Sequence, residues 1–239
     1  MFESPNRRRI YLMRHGEAAY VADDGTVTDD PRNVPLTEAG RIQARKQAAI
    51  LASVPFDRAV CSGLPRTKQT AKLVLAGRDH LQLEEVPELE EINGGDFDQP
   101  ISDRAAWLRH VANPWAGAEE PDATFMGGER FTDFAARVTP AFDAIIADQS
   151  WQTLLLVLHG AVNRMIFNHV LGLGWQGRVS IEQDNCCINV IDVDTDQAGA
   201  VSRFLVRVVN LTSYDLNKSD VFLTSMEHTA SRIAAQLED

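Results

Sequence analysis

Apolar residues alternate along this chain between two kinds of segment. Short, nearly continuous apolar runs read as strands at residues 10–13, 58–61, 81–86, 153–158, 188–193 and 201–209. Between them, apolar positions recur at helical spacing over residues 37 to about 52, 65–76, 102–111, 129–148 and 161–171. Local chemistry marks several ends. Thr37 suits an N-cap, Pro65 a first helical turn, and Gly77 and Gly172 helix stops.

The run 153–158 is nearly continuously apolar, as expected of a strand covered on both faces. Strands that alternate with helices in this way predict an α/β domain with a mostly parallel sheet. We expect one domain over residues 1–239, with a core at about 7–210 and a tail at about 211–239. No internal repeat or low-complexity tract is visible. Residues 113–128, with two prolines, three glycines and several acids, predict a long surface excursion of the kind that forms a lid. The tail carries Met226, Ala230, Ile233, Ala234 and Leu237 at helical spacing. We read it as a helix docked on its own domain in preference to a dimer interface, and leave a homodimer open.

Composition narrows the partners. The chain has 239 residues, 44% hydrophobic and 24% charged, which is ordinary for a globular protein. Its 23 Lys and Arg against 34 Asp and Glu give a net charge of −11, so no overall positive field draws in a nucleic acid. An anionic substrate must then be held by a few placed basic groups. Three cysteines, two of them adjacent, predict buried thiols and a reduced cytoplasm rather than a disulfide framework. The longest uninterrupted apolar run, at residues 154–158, is far below the roughly 20 residues needed to span a bilayer. Arg7, Arg8 and Arg9 precede an apolar run too short for a signal peptide. We expect a cytoplasmic protein with neither membrane nor nucleic acid as partner.

Three strands end alike. Residues 10–13 lead into Arg14-His15-Gly16-Glu17, residues 58–61 into Ser62-Gly63-Leu64-Pro65-Arg66, and residues 154–158 into His159-Gly160-Ala161. Ligands of open α/β sheets sit at the carboxyl ends of strands, so adjacent tips would place two His and two Arg around one pocket. That cluster suits phosphoryl transfer. Two arginine forks match the phosphoryl oxygens, and the helix starts after Gly63 and Gly160 offer further N–H donors. A neutral imidazole can attack phosphorus while a second His hydrogen-bonds the moving oxygens. A carboxylic acid must protonate the leaving oxygen, and Glu88, Glu90 and Glu91 are the candidates. Other features have plainer readings. His80, His110, His169 and His228 are read as structural. The pairs Asp23-Asp24 and Asp29-Asp30 lack a His or Cys at ligand spacing and are read as solvated loop, so no metal is expected.

Six blocks in order give this pattern a family. The stretch from Leu12 to Glu17, the stretch from Pro35 to Ala44 with Thr37-Glu38-Ala39-Gly40, and the stretch from Cys61 to Ala71 are followed by Leu89-Glu90-Glu91-Ile92 with Gly95-Asp96-Phe97, by Gly127-Gly128-Glu129, and by the stretch from Val157 to Arg164. Together they resemble the histidine phosphatase superfamily, the phosphoglycerate mutase-like enzymes. The resemblance implies a three-layer α/β/α sandwich without metal or other cofactor. It also implies His15 as the residue that becomes phosphorylated, Glu91 as proton donor, and Arg14, Arg66 and His159 as the phosphate pocket. Gly16, Ser62, Gly160 and Ala161 complete the expected phosphate contacts. The chain departs from the family at Val21, where many members carry Asn, at Asp98-Gln99 in place of Glu-Gly, and at Arg130 in place of a small residue. The substrate-holding segments of the glycolytic mutases are not found between Glu91 and Glu129. The expectation is therefore a metal-independent phosphatase of a small phosphomonoester, with a mutase or a non-catalytic phospholigand-binding protein as alternatives.

Overall fold

The computed structural model describes residues 6–20, 28–95, 104–173, 180–196, 198–219 and 222–236. Val21, Asp23, Asp24, residues 96–99 and Ser102 lie outside them. In chain order the elements are β1 (Asn6–Arg14), α1 (Glu38–Ile50), β2 (Arg58–Cys61), α2 (Pro65–Val74), β3 (Leu83–Glu85), a 3-10 turn (Pro87–Leu89), α3 (Arg104–Ala112), α4 (Phe131–Ala147), β4 (Thr153–Leu158), α5 (Gly160–Leu171), β5 (Ile188–Thr195), β6 (Val201–Leu211) and α6 (Ser225–Gln236).

One sheet has the order β3-β2-β4-β1-β5-β6. The first four strands are parallel, with Cys61 opposite Val157 and Arg14 opposite Leu158. The last two are antiparallel, β5 to β1 and β6 to β5. The sheet is thus mixed, its parallel part as expected and closed at one side by a hairpin. Successive side chains of β4 face opposite ways, which explains its unbroken apolar run. Leu154, Leu156 and Leu158 join Phe131, Phe134, Val138 and Phe142 of α4 and Val162 of α5. Leu155 and Val157 join Ala44 of α1 and Ala71 and Val74 of α2. Helices therefore cover both faces of the sheet, and the parallel strand tips end between them.

Local signals behave as their chemistry requires. The Thr37 hydroxyl accepts from Gly40 N–H at the start of α1, and Pro65 opens α2. Gly172 ends α5 with φ of 62°, in the left-handed region. Gly77 follows the end of α2 rather than making it, since the helix stops at Val74 and Leu75 caps it. The Arg7, Arg8 and Arg9 run also gains a reason. Arg7 and Arg9 point to one face, where they pair with the buried Asp194 and Asp192, which also take Arg203 and Arg207. Arg8 points to the other face, is 1% exposed, and donates to the carbonyls of Ile146 and Asp148 at the end of α4, each at 2.6 Å. Its guanidinium lies 4.2 Å from the Trp151 ring centre.

The expected excursion at 113–128 is anchored. Trp115 and Ala118 are buried in the core, and the Trp115 ring packs 5.8 Å from both Phe125 and Phe131. The tail helix α6 packs against α3. Its first turn is tied down by Ser225 N–H on the Glu182 carboxylate. No helix among the described residues is long and apolar enough to cross a membrane.

Candidate active site

Because β2, β4 and β1 are neighbours, their carboxyl ends bring Ser62, His159 and His15 together. The backbone holds His15 on both sides: its N–H donates to Leu158 O, and its carbonyl accepts from Cys186 N–H. The rings of His15 and His159 meet edge to face with centres 5.2 Å apart. Both histidines are buried.

The hydrogen bonds settle which nitrogen of each ring is free. His15 Nδ1 lies 2.7 Å from Gly16 O. A carbonyl can only accept, so Nδ1 carries the hydrogen and Nε2 is left with its lone pair. Burial, with Arg66 and Arg14 beside it, pushes the His15 pKa well below its usual value and keeps the ring neutral. The result is an oriented, neutral imidazole with two guanidinium groups near it.

His159 is held by a relay. Thr67 Oγ1 donates to Leu64 O at 2.9 Å, Ser62 Oγ is 3.0 Å from Thr67 Oγ1, and His159 Nε2 is 2.8 Å from Ser62 Oγ. With the Thr67 hydrogen committed, Ser62 donates to Thr67 and accepts from His159 Nε2–H. His159 Nδ1 is left buried and unpartnered. Burial, Arg66, His15 and Arg14 together push the His159 pKa well below its usual value.

Each arginine keeps one buried donor idle. Arg14 Nη1 donates to Gln183 O at 2.6 Å, and Arg66 Nη1 to the carbonyls of Pro31 and Arg32 at 3.2 and 3.0 Å. Nε of both is buried with no partner. A buried polar group without a partner costs stability, so donors left this way mark a place built for an acceptor. Phosphoryl oxygens are acceptors of the right geometry and charge.

The acid loop resolves its three candidates. Glu88 is exposed, and Glu90 is in an ion pair with Arg32. Glu91 turns inward. Its Oε2 accepts from Ala161 N–H and its Oε1 from Ile92 N–H, both at 3.1 Å, which puts the carboxyl two residues from His159 at the start of α5.

Two expected backbone contacts are already engaged. Ala161 N–H is held by Glu91, and Gly16 N–H donates to Thr70 Oγ1 at 3.1 Å. Gly16 contributes through its carbonyl instead. Gly160 lies against Arg14, where a Cβ would sit in ordinary contact at 3.4 Å from Arg14 Nε. The remaining expectations are simple to place. Arg130 forms a loose surface pair with Asp122 at 4.0 Å. His80, His110 and His228 are exposed, and His169 meets Asp143 at 2.8 Å. Asp30 accepts from the Asn33 side chain at 2.7 Å, and among the described residues no cluster of His, Cys, Asp or Glu could hold a metal ion.

Several participants carry no motif that marks them. Gln183 holds Arg14 and is itself fixed by Asn163 and Asn189, whose side-chain N–H groups reach its Oε1 at 3.0 and 2.8 Å. Tyr20, half-buried, stacks under Arg66 with the guanidinium carbon 5.4 Å from its ring centre, and burial raises its phenol pKa. Only the aromatic character of Tyr20, six residues after Arg14, was a signal.

Residues 10–205 match the family described as the histidine phosphatase superfamily (branch 1). The adenosylcobalamin/alpha-ribazole phosphatase of Salmonella typhimurium is 31% identical over 194 residues, covering 77% of this chain and 90% of that protein. A probable phosphoglycerate mutase of Yersinia pestis is 29% identical over 189 residues, covering 77% and 84%. Among solved structures, the alpha-ribazole phosphatase from Shigella flexneri superposes with a TM-score of 0.67 at 29% identity, covering 84% of this chain and 96% of that one. The matched span holds every strand tip of the pocket, with Arg14, His15, Arg66 and His159, and by that match the chain belongs to branch 1 of the histidine phosphatase superfamily and is a phosphatase.

Proposed function

We propose that the chain hydrolyses a small phosphomonoester through a phosphohistidine on His15, without a metal. One observation carries this reading: Arg14 Nε, Arg66 Nε and His159 Nδ1 are buried and unpartnered beside the bare Nε2 of His15. In the first step His15 Nε2 attacks phosphorus, the P–O ester bond breaks, and protonated Glu91 gives its hydrogen to the leaving oxygen. Arg14 and Arg66 hold the equatorial oxygens as their charge shifts. His159, once protonated at Nδ1, donates to a third. In the second step water attacks the phosphohistidine and loses a proton to Glu91; the P–N bond breaks, which frees phosphate and restores neutral His15.

The substrate is small because the acidic surface of a chain of charge −11 disfavours polyanions, while the pocket concentrates positive charge locally. The three cysteines are free buried thiols, which supports a reduced, cytoplasmic setting. The relatives' names make alpha-ribazole phosphate the first ester to assay. Rapid mixing with a labelled ester is expected to give an acid-labile, base-stable protein phosphate that is absent in His15→Ala. Label that survives the substitution overturns the assignment. The similarity to a probable phosphoglycerate mutase supports a second reading, and conversion of 3- to 2-phosphoglycerate faster than phosphate release would establish it.

A further inference from the structure

Beyond the groups that touch substrate, one side chain gathers the whole acid loop. Arg137, on α4, has five N–H donors, and each meets an acceptor on that loop or its neighbour. Nε donates to Glu129 Oε1 at 2.7 Å, and Nη2 to Glu129 Oε2 at 2.9 Å. Nη1 donates to the carbonyls of Glu88 and Glu90 at 2.7 and 2.8 Å, and Nη2 also to Glu91 O at 3.2 Å. Three backbone carbonyls within four residues, ending at the acid itself, are thus held by one planar fork.

Glu129 serves the same segment from its other end. Its Oε2 accepts from Asn93 N–H at 3.0 Å, and its own N–H donates to Asn93 O at 2.8 Å. The Gly127-Gly128 pair before it makes this approach possible. A Cβ on Gly128 would lie 2.3 Å from Asn93 O, and Gly127 has a φ of 77°. Two of the sequence blocks, around Glu91 and around Glu129, therefore meet backbone to backbone.

We propose that Arg137 and Glu129 are positioning residues for phosphoryl transfer, a clamp that fixes the Glu91 carboxyl at the start of α5 where it meets the leaving oxygen. The proposal rests on the reading of Glu91 as the proton donor. All five Arg137 donors are spent on Glu129 and on the carbonyls of the acid loop, so none is left for a phosphoryl oxygen and the clamp acts on proton delivery. Proton delivery matters in proportion to the basicity of the leaving group: an alkoxide needs the proton, a nitrophenolate hardly does.

The test compares kcat/KM, which reports the first step, on an alkyl phosphate and on p-nitrophenyl phosphate. Glu91→Gln is expected to lose ~100-fold or more on the alkyl ester and little on the nitrophenyl ester. Arg137→Lys, which keeps the charge and loses the fork, is expected to show the same pattern at about 10-fold or more, with an unchanged Kd for inorganic phosphate. If Arg137→Lys does not fold, Glu129→Gln carries the comparison. Equal losses on both esters, or none on either, while Glu91→Gln still discriminates between them, overturn the clamp. A Glu91→Gln enzyme that does not discriminate overturns the acid assignment and the clamp with it.

Discussion

His159 Nε2 lies 2.8 Å from the Ser62 hydroxyl, and the hydrogen on that nitrogen is fixed there by the commitment of Ser62 to Thr67 and of Thr67 to Leu64 O. The neutral ring therefore has no hydrogen on the nitrogen left idle in the pocket.

Binding of a dianion that carries no hydrogen must then bring a proton with it. At about pH 8.5 sulfate, a tetrahedral dianion without a hydrogen of its own, is expected to bind with uptake of about one proton. Calorimetry in buffers of different ionisation heat measures this number. The uptake disappears in His159→Gln. No uptake in the unaltered protein would mean that Nδ1 already carries a hydrogen, and the relay would be wrong.

The buried histidines also set a pH dependence of stability. Both folded-state pKa values lie below that of a free histidine, so on acidification the unfolded chain takes up protons first. Stability is complete above about pH 6.5 and is lost below it, by up to about 1.4 kcal/mol per pH unit for each ring. Urea unfolding at about pH 7.5 and about pH 5.5 is expected to show the loss, and His15→Asn with His159→Asn to flatten it. An unchanged slope in the double variant contradicts this account.

A substitution at Gly40, on α1, is expected to disturb the loop that follows His15. A Cβ there would lie 2.1 Å from Glu17 O, a backbone atom two residues from His15. Gly40→Ala should cost about 1–3 kcal/mol and lower kcat as the loop shifts. Gly77→Ala is the contrast: φ is 80° but nothing lies within 4 Å, so only about 1–2 kcal/mol of left-handed strain is expected, with turnover intact. Thermal unfolding and steady-state rates on both proteins decide it.

The strands that carry the site were legible because burial on both faces leaves a nearly continuous apolar run, and the bounds 58–61 and 153–158 coincide with β2 and β4. The polarity of β5 and β6 was not, because an apolar run reads the same in either direction. The motif residues declared themselves by type: His15, Arg14, Arg66 and His159 meet at neighbouring strand tips. Their supports did not. Arg137 occupies an ordinary polar position in an amphipathic helix, and Gln183 follows a loop without periodicity, so each acquires its role only from what the fold sets beside it. That Thr70 and Glu91 engage the amides of Gly16 and Ala161 was hidden for the same reason, since these are tertiary contacts.

The place of β4 between β1 and β2 has a consequence for how activity arises during synthesis. The strand that ends at His15 is made before its parallel partner, Thr153–Leu158, which emerges about 140 residues later and must insert between two strands already made. Until that long loop closes, His15 has neither the second histidine nor the carbonyl of Leu158 that holds its backbone. The meeting of His15 with His159 is a non-local contact, completed late in a slow class of topology.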